Sequence, residues 1–322
     1  MRHLLQLRYI DAVARAGSIR KAADMLSITS TALNRRIIAV EDELGVQIFE
    51  RLPRGVRLST AGEILLHHIR TQISDLERVK SQIADLSGER RGHVAIACSQ
   101  ALLPYFLPEQ IALYRREHPA VTFSVNKRDR AAAEAALADH SADLAIVFEP
   151  VRFSEFHTLI AVRQTVHAVM GADHPLAARE KIRLSDCVEY PVALPSAEYG
   201  VRHLIDTAMV GSMVRLTPAI ESDSFEFLRN YPRTEPIVSF QIPIGLPSPK
   251  TLDGLAIRAI DPRDVPAGTL YLGQLRGRIL PVAAARFADQ IAKSLETQTS
   301  NALGPMMDSE VIRAMSISAD RE

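Results

Sequence analysis

Residues 18–37, SIRKAADMLSITSTALNRRI, decide how the rest of the chain is read. Ser18 occupies an N-cap position, its hydroxyl placed to accept from the free amides of a first helical turn. Ala22 and Ala23 are small where two helices must approach closely, and Leu26 completes the apolar face. Ser27, Ile28 and Thr29 form a turn, with Thr29 as the N-cap of the next helix. In that helix Leu33, Ile37, Val40 and Leu44 recur at helical spacing as a buried stripe, and Gly45 ends it. Thr31, Asn34, Arg35 and Ile38 lie on the opposite side, with Ser30 and Arg36 on the flanks. Arg bonds guanine edges bidentately, Asn favours adenine, and the methyl of Thr touches that of thymine. The stretch therefore reads as a helix-turn-helix whose second helix enters the major groove of duplex DNA.

Residues 47–51 and 56–59 read as two short strands around the turn Leu52-Pro53-Arg54-Gly55. They form a wing with Arg54 at its tip, a guanidinium suited to a narrow A·T-rich minor groove. An ordinary helical hairpin with a solvated basic face is the competing reading of residues 18–37. Charge weighs against it: residues 1–60 hold ten Lys or Arg against six Asp or Glu. Over the whole chain 38 basic and 38 acidic residues balance, so the phosphate-attracting excess is confined to the N-terminus.

A long helix follows the wing. Thr60 and Glu63 match a capping box, and Ser87-Gly88 stops the helix after about Leu86. Leu66, Ile69, Ile73, Leu76 and Ile83 form a seam suited to the same helix of a second subunit, with Val79 beside Lys80 filling a gap. Packing against its own wing domain is the alternative. His67 and His68 are adjacent on this helix, point in different directions, and do not make a metal pair.

From Gly92 the pattern changes to alternating strands and helices. Strands are expected at 93–98, 121–125 and 143–148, with helices from Ser99-Gln100 through Arg116 and over 131–139. A comparable arrangement begins near Val166, with strands at 167–170, 192–194, 237–240, 256–260 and 270–275. Helices are expected over 201–209, after Ser224 through Leu228, and over 281–295. The fold class is α/β: two lobes with mostly parallel sheets and a cleft between them. Ligands on such sheets bind beyond the strand ends at helix N-termini, where Ser99, Gln100, Asn126, Lys127 and Arg128 can hold a small anion. The Pro-rich stretch 230–250 resists assignment, and the tail 297–322 is expected to be poorly ordered.

At 322 residues and 47% hydrophobic content, the chain can bury a large core in more than one domain. It holds no apolar run of roughly 18 residues, so no membrane partner is expected. Arg8, Asp11 and Arg15 interrupt any export signal, which makes the expected location cytoplasmic. Cys98 and Cys187 lack CxxC spacing and are expected as buried, reduced thiols. No GxxxxGK[ST], HExxH, GxSxG or strand-linked GxGxxG is present, so an enzyme lacks its usual signals. A solute sensor with an accessory helical hairpin is disfavoured by the basic wing.

The N-terminal pattern comprises Ser18, Ala22-Ala23, Leu26, Thr29, Ala32-Leu33, Arg35, Ile37, Glu41, Glu43-Leu44-Gly45, Phe49-Glu50-Arg51, Arg54, Val56, Leu58 and Ala61-Gly62. Together these residues resemble the DNA-binding domain of LysR-type transcriptional regulators. Leu103-Pro104, Leu107-Pro108, His118-Pro119, Asp143-Leu144-Ala145-Ile146 and Gly277-Arg278-Ile279-Leu280-Pro281 resemble the effector domain of the same family. The likeness covers roughly residues 1–296.

The resemblance implies a winged helix-turn-helix (1–60), a dimerising linker helix (61–88) and an effector domain (89–296) similar to type 2 periplasmic binding proteins. Its first lobe would comprise 92–163 and 267–296, and its second lobe 164–266. It also implies a homodimer or homotetramer on promoter DNA, a small-molecule co-inducer in the interlobe cleft, RNA polymerase as a partner, and no further cofactor. Ser30, Thr31, Asn34 and Arg35 match recognition-helix contacts and Arg54 the wing contact; Ser18, Thr29 and Arg36 complete the candidate DNA set. Ser99, Gln100 and Lys127 match effector contacts in the first lobe, and Ser196 and Ser224 are the second-lobe candidates. Two departures stand out. Ser30 and Asn34 occupy positions where members often carry Gln and Ser, which changes the expected half-site. Residues 233–249, with Pro236, Pro243 and Pro247, replace a Gly-rich turn, so effector chemistry cannot be borrowed from better-known relatives.

Overall fold

The computed structural model describes residues 2–86, 91–149, 154–210, 212–248 and 251–303. The chain divides into two compact units, Met1–Glu89 and Arg90–Glu322.

In the first unit α1 (Arg2–Ala16), α2 (Ile19–Met25) and α3 (Ser30–Leu44) precede the hairpin β1 (Phe49–Leu52) and β2 (Gly55–Leu58), and α4 (Thr60–Leu86) follows. Both expected caps form: Ser18 Oγ accepts from the Lys21 amide at 3.4 Å, and Thr29 Oγ1 from the Ala32 amide at 3.2 Å. Gly45 ends α3 at φ 68°, a left-handed conformation that costs glycine little. Ala22, Ala23, Leu33 and Ile37 are buried with Ile10 and Val13 of α1. The stripe stops earlier than expected, because Leu44 is 48% exposed where α3 runs past its core. Glu41 instead ties the end of the helix to the wing, its Oε1 accepting from the amides of Ile48 (2.8 Å) and Phe49 (3.1 Å). The wing strands pair antiparallel from Phe49↔Leu58 to Leu52↔Gly55, which leaves Pro53-Arg54 as a two-residue turn.

Helix α4 starts where the sequence predicts but is capped differently. Ser59, rather than a Thr60–Glu63 box, supplies the cap: its Oγ accepts from the Gly62 amide (3.0 Å) and donates to the Gln47 carbonyl (2.6 Å). The first half of the seam belongs to the helix's own unit. Leu66 and Ile69 are buried, Leu65 and Ile73 pack on the N-terminal core, and Arg70 bonds Asp11 at 2.9 Å. The second half leaves Val79 and Ile83 exposed. The expected stop at Ser87-Gly88 lies outside the described residues.

The second unit contains two sheets. The first is built from β3 (Gly92–Cys98), β4 (Val121–Lys127), β5 (Leu144–Phe148), β6 (Phe156–Gln164) and, much later in the chain, β13 (Gly268–Leu275). Its order is β4-β3-β5-β13-β6, flanked by α5 (Phe106–Glu117), α6 (Arg130–Ala138) and α9 (Val282–Leu303). The second sheet uses β7 (His167–Gly171), β8 (Lys181–Ile182), β9 (Val192–Pro195), β10 (Pro218–Ser222), β11 (Val238–Gln241) and β12 (Leu255–Ile260), ordered β10-β9-β11-β7-β12-β8. Helices α7 (Gly200–Val210) and α8 (Phe225–Asn230) are inserted between its strands. The chain passes from one sheet to the other after Gln164 and returns after Ile260, so two lobes share one continuous polypeptide.

Several expectations need correction. The sheets are mixed rather than mostly parallel: β13 runs antiparallel to β5 and β6, and β7 antiparallel to β11 and β12. The helix predicted through Arg116 is broken into a short 3-10 turn at Gln100–Leu102 and α5, because Pro104 lacks the amide that a continuous helix would bond to Gln100. Strands β6, β8 and β10 were not foreseen, and the Pro-rich stretch holds β11 between 3-10 turns at Tyr231–Arg233 and Pro243–Gly245. The last helix overruns the expected start of the tail at 297 and reaches Leu303; residues 304–322 lie outside the described set. Phe287 of α9 stacks edge-on against Tyr114 (5.2 Å) and Phe123 (4.9 Å), fastening this helix to the first lobe. Two stretches quoted for the family likeness also meet: Arg278 Nη2 bonds Asp143 Oδ1 at 2.6 Å, and both side chains are over 90% buried.

Candidate nucleic-acid interface and interlobe cleft

Helix α3 presents Thr31, Arg35 and Ile38 to solvent on the side away from buried Leu33 and Ile37, and Ser30 is exposed in its first turn. The hydroxyls of Ser18 and Thr29 serve as caps and sit at the helix starts, where free amides favour phosphate. Arg36 is turned toward α1, its guanidinium carbon 5.1 Å from the centre of the Tyr9 ring, so the predicted flank contact is engaged within its own unit. Asn34 is half-buried and accepts, through Oδ1, a 2.8 Å bond from Arg51 Nη2 on β1. Arg51 was missed as a site residue, because only the register of the wing brings it against α3. Arg54 stands exposed in the two-residue turn of the wing. Arg57 is paired across the hairpin with Glu50 at 2.6 Å, a bond that pushes its guanidinium pKa further up.

The second unit contains a cleft where the strand ends of both lobes converge. In this arrangement of the lobes it is nearly closed, with room for little more than a single water molecule. Ser99, Arg128, Asp129, Arg130, Val147 and Phe148 line it from the first lobe, and Tyr199, Gly200, Val201, Phe225 and Ile242 from the second. The N-termini of α6 and α7 both meet it, at Arg130 and Gly200. Asp129 is occupied as the α6 cap, accepting from the Ala132 amide at 2.7 Å. Burial pushes the Tyr199 phenol pKa up, with the carboxylates of Glu198, Asp223 and Asp129 adding to the shift, so this hydroxyl remains a donor at neutral pH. Two guanidinium groups, a phenol, the Ser99 hydroxyl and two helix starts give the cleft a surplus of donors suited to a small anionic or polar ligand.

The lobes are already fastened across this cleft. Gln100 Oε1 accepts from the Phe225 amide at 3.0 Å. Arg130 donates through Nε to the Glu198 carbonyl of the second lobe (3.1 Å), while its Nη1 bond to the Glu149 carbonyl (3.2 Å) stays within the first lobe. Gly200 fits so closely against the first lobe that an added Cβ would lie 2.7 Å from Phe148 Cδ1 and 2.9 Å from its carbonyl oxygen.

Of the residues expected to hold a small ligand, Ser99 and Arg128 line the cleft, and Asn126 does not. Gln100 instead bridges the lobes. Lys127 is exposed on edge strand β4 and outside the lining; the next three residues reach it instead. Ser196 serves the backbone of its own loop, its amide on the Ser222 carbonyl and its carbonyl on the Tyr199 amide. Ser224 caps α8, accepting from the Phe227 amide at 3.2 Å. Cys98 and Cys187 are buried, and burial pushes both thiols up to about 12. Among the described residues no helix is long and apolar enough to cross a membrane.

Two family models match the chain. That of the bacterial regulatory helix-turn-helix protein of the lysR family matches residues 4–63, and that of the LysR substrate binding domain matches residues 87–296. The HTH-type transcriptional regulator CysB of Burkholderia cenocepacia is 30% identical over 209 residues, 64% of this chain and 67% of that protein. A structure of a full-length OxyR variant from Pseudomonas aeruginosa superposes with a TM-score of 0.69 at 23% identity, covering 90% of this chain and 97% of that one. The effector binding domain of QuiR in complex with shikimate superposes with a TM-score of 0.56 at 18% identity, over 65% of this chain and all of that one.

Proposed function

The chain belongs to the LysR family of transcriptional regulators, and from that premise we propose how its two units divide the task. The first unit binds promoter DNA, with α3 in the major groove and Arg54 at the adjacent minor groove. The second unit holds a small anionic or polar metabolite in the interlobe cleft. Ligand occupancy there alters the grip on the promoter and the recruitment of RNA polymerase. The exposed Val79 and Ile83 of α4 support pairing with the same helix of a second subunit, in a homodimer or homotetramer. The reading places the protein in the cytoplasm, with no cofactor beyond the effector and no catalytic role.

The observation that carries this reading is the convergence of Arg128, Arg130, Tyr199 and two helix starts on one cleft whose lobes are joined by exchangeable hydrogen bonds. An anion can replace the carbonyls of Glu198 and Glu149 as the acceptor for Arg130. That substitution gives the ligand different contacts in the open and closed arrangements, which a shift in population requires. Footprinting on the DNA next to the protein's own gene, repeated with a panel of carboxylate and phosphate metabolites, tests it. Protected half-sites about one helical turn apart, or multiples of it, are expected. Ser99→Ala should raise the metabolite concentration needed for a changed footprint while leaving the basal footprint intact. An unmoved response curve would remove Ser99 from the ligand site.

A further inference from the structure

Reading adenine at Asn34 would require its carboxamide to act as acceptor and donor together. The structure constrains that choice. Arg51 Nη2 lies 2.8 Å from Asn34 Oδ1, and since a guanidinium carries only donors, the carboxamide oxygen must face it. That orientation leaves the amide NH2 as the group available to another acceptor. The two residues come from different elements, 17 positions apart, and Arg51 is exposed beside the half-buried Asn34. Thr31 lies one turn before Asn34 on the same face, and Arg35 follows directly. The pair therefore stands within the face of α3 assigned to base contact.

Resting on the reading that α3 enters the major groove, we propose that Arg51 and Asn34 act as one donor-only unit that selects guanine. Guanine presents two acceptors to the major groove, N7 and O6, and no donor. The Asn34 NH2 and a remaining Arg51 N–H supply the matching donors. Adenine pairs a donor, the N6 amine, with the N7 acceptor, so a donor-only face sets one donor against another and leaves its second N–H without an acceptor. In free solution this exposed bond contributes little, but exclusion of water on docking strengthens it and fixes the orientation. Arg51 is thus a positioning residue for Asn34 as well as a donor. A phosphate clamp at Arg51 would make a different prediction, because phosphate contacts change affinity without changing sequence preference.

The test is enrichment of a random duplex library by the full chain, carried out for wild type, Arg51→Ala, Arg51→Lys and Asn34→Ser, with thermal melts to establish that each variant is folded. Wild type should enrich guanine at one position of each half-site. Arg51→Ala releases the carboxamide oxygen, so preference at that position should move toward adenine by about tenfold, within the range for one bidentate contact. Arg51→Lys retains a donor for the oxygen and should keep guanine, while Asn34→Ser should flatten preference at that position alone. The proposal is overturned if Arg51→Ala weakens every sequence equally with an unchanged motif, or if the Asn34 and Arg51 variants alter different positions. A wild-type chain that enriches nothing would overturn the groove assignment of α3 itself, and this proposal with it.

Discussion

On α3, Ser30, Thr31 and Arg35 are exposed, whereas in the interlobe cleft Gln100 and Arg130 are already bonded to the opposite lobe. The helix is a finished surface: Thr29 fixes its start, Gly45 its end, and Leu33 and Ile37 its rotation. A rigid face of this kind loses little conformational freedom on meeting DNA. The cleft is an occupied surface, in which backbone carbonyls hold donors that a ligand must take over. The difference explains why one chain can grip through the first region and switch through the second. Preorganised side chains give specificity, while exchangeable internal bonds give two arrangements close in free energy.

The contrast can be broken at several points. The largest effect is expected at the buried Arg278–Asp143 pair, which anchors the cleft-bearing unit. Arg278→Ala leaves a buried carboxylate without its partner and should destabilise that unit by about 3–5 kcal/mol. Urea denaturation of the full chain should then show it unfolding first, with the Met1–Glu89 unit retaining its own transition. A single merged transition would mean that the two regions are not independent. Next comes Gly200→Val, which forces a side chain against Phe148 and should cost about 1–3 kcal/mol. Ligand titrations of DNA binding should lose their response while basal affinity persists, and an intact response would show that close lobe contact is unnecessary for switching.

Arg35→Ala sharpens the other side of the comparison. It should weaken specific binding by about 1–3 kcal/mol and relax preference at one base position, with no change in melting temperature because the side chain is exposed. Equal loss on operator and scrambled DNA would move Arg35 from base reading to phosphate contact. The smallest effect concerns acid. Burial holds His167 and His174 below the ordinary histidine range, so the folded second lobe keeps them neutral. Their contribution to stability is present above about pH 6.5 and is lost as pH falls from there through the lowered values, because the unfolded chain takes protons first. Thermal melts at about pH 7.5 and about pH 5.5 should show the second unit weakening, and His167→Asn should reduce that dependence. A pH dependence that resides wholly in the first unit would contradict it.

The DNA-facing unit was legible almost residue by residue because its signals are local. Ser18, Thr29 and Gly45 act within their own helices, and the apolar spacing of Leu33 and Ile37 needs no distant partner. Where a long-range contact intervenes, the reading fails: Arg36 turns to Tyr9, and Arg51 reaches Asn34 only through the pairing of the wing. The cleft was legible as a location but not as a set of residues. Ser99 was found because it follows a strand, yet Phe148, Tyr199, Phe225 and Ile242 come from separate segments that only the folded sheets bring together. Ser196 and Ser224 look like ligand donors in sequence but stand outside the cleft lining, and Ser224 caps α8. Strand β6 was missed because it is a sheet edge carrying His157, Thr158, Arg163 and Gln164, so its apolar alternation is diluted.

Strand β13 lies between β5 and β6, although the entire second sheet precedes it in the chain. A ribosome therefore delivers an interior strand of the first lobe only after the second lobe has emerged. Until then the nascent polypeptide carries two unmated strand edges, which makes this interval its period of greatest exposure to aggregation and proteolysis. A transcript truncated before Gly268 would yield a first lobe lacking an interior strand, and any tethered DNA-binding unit would be cleared along with it.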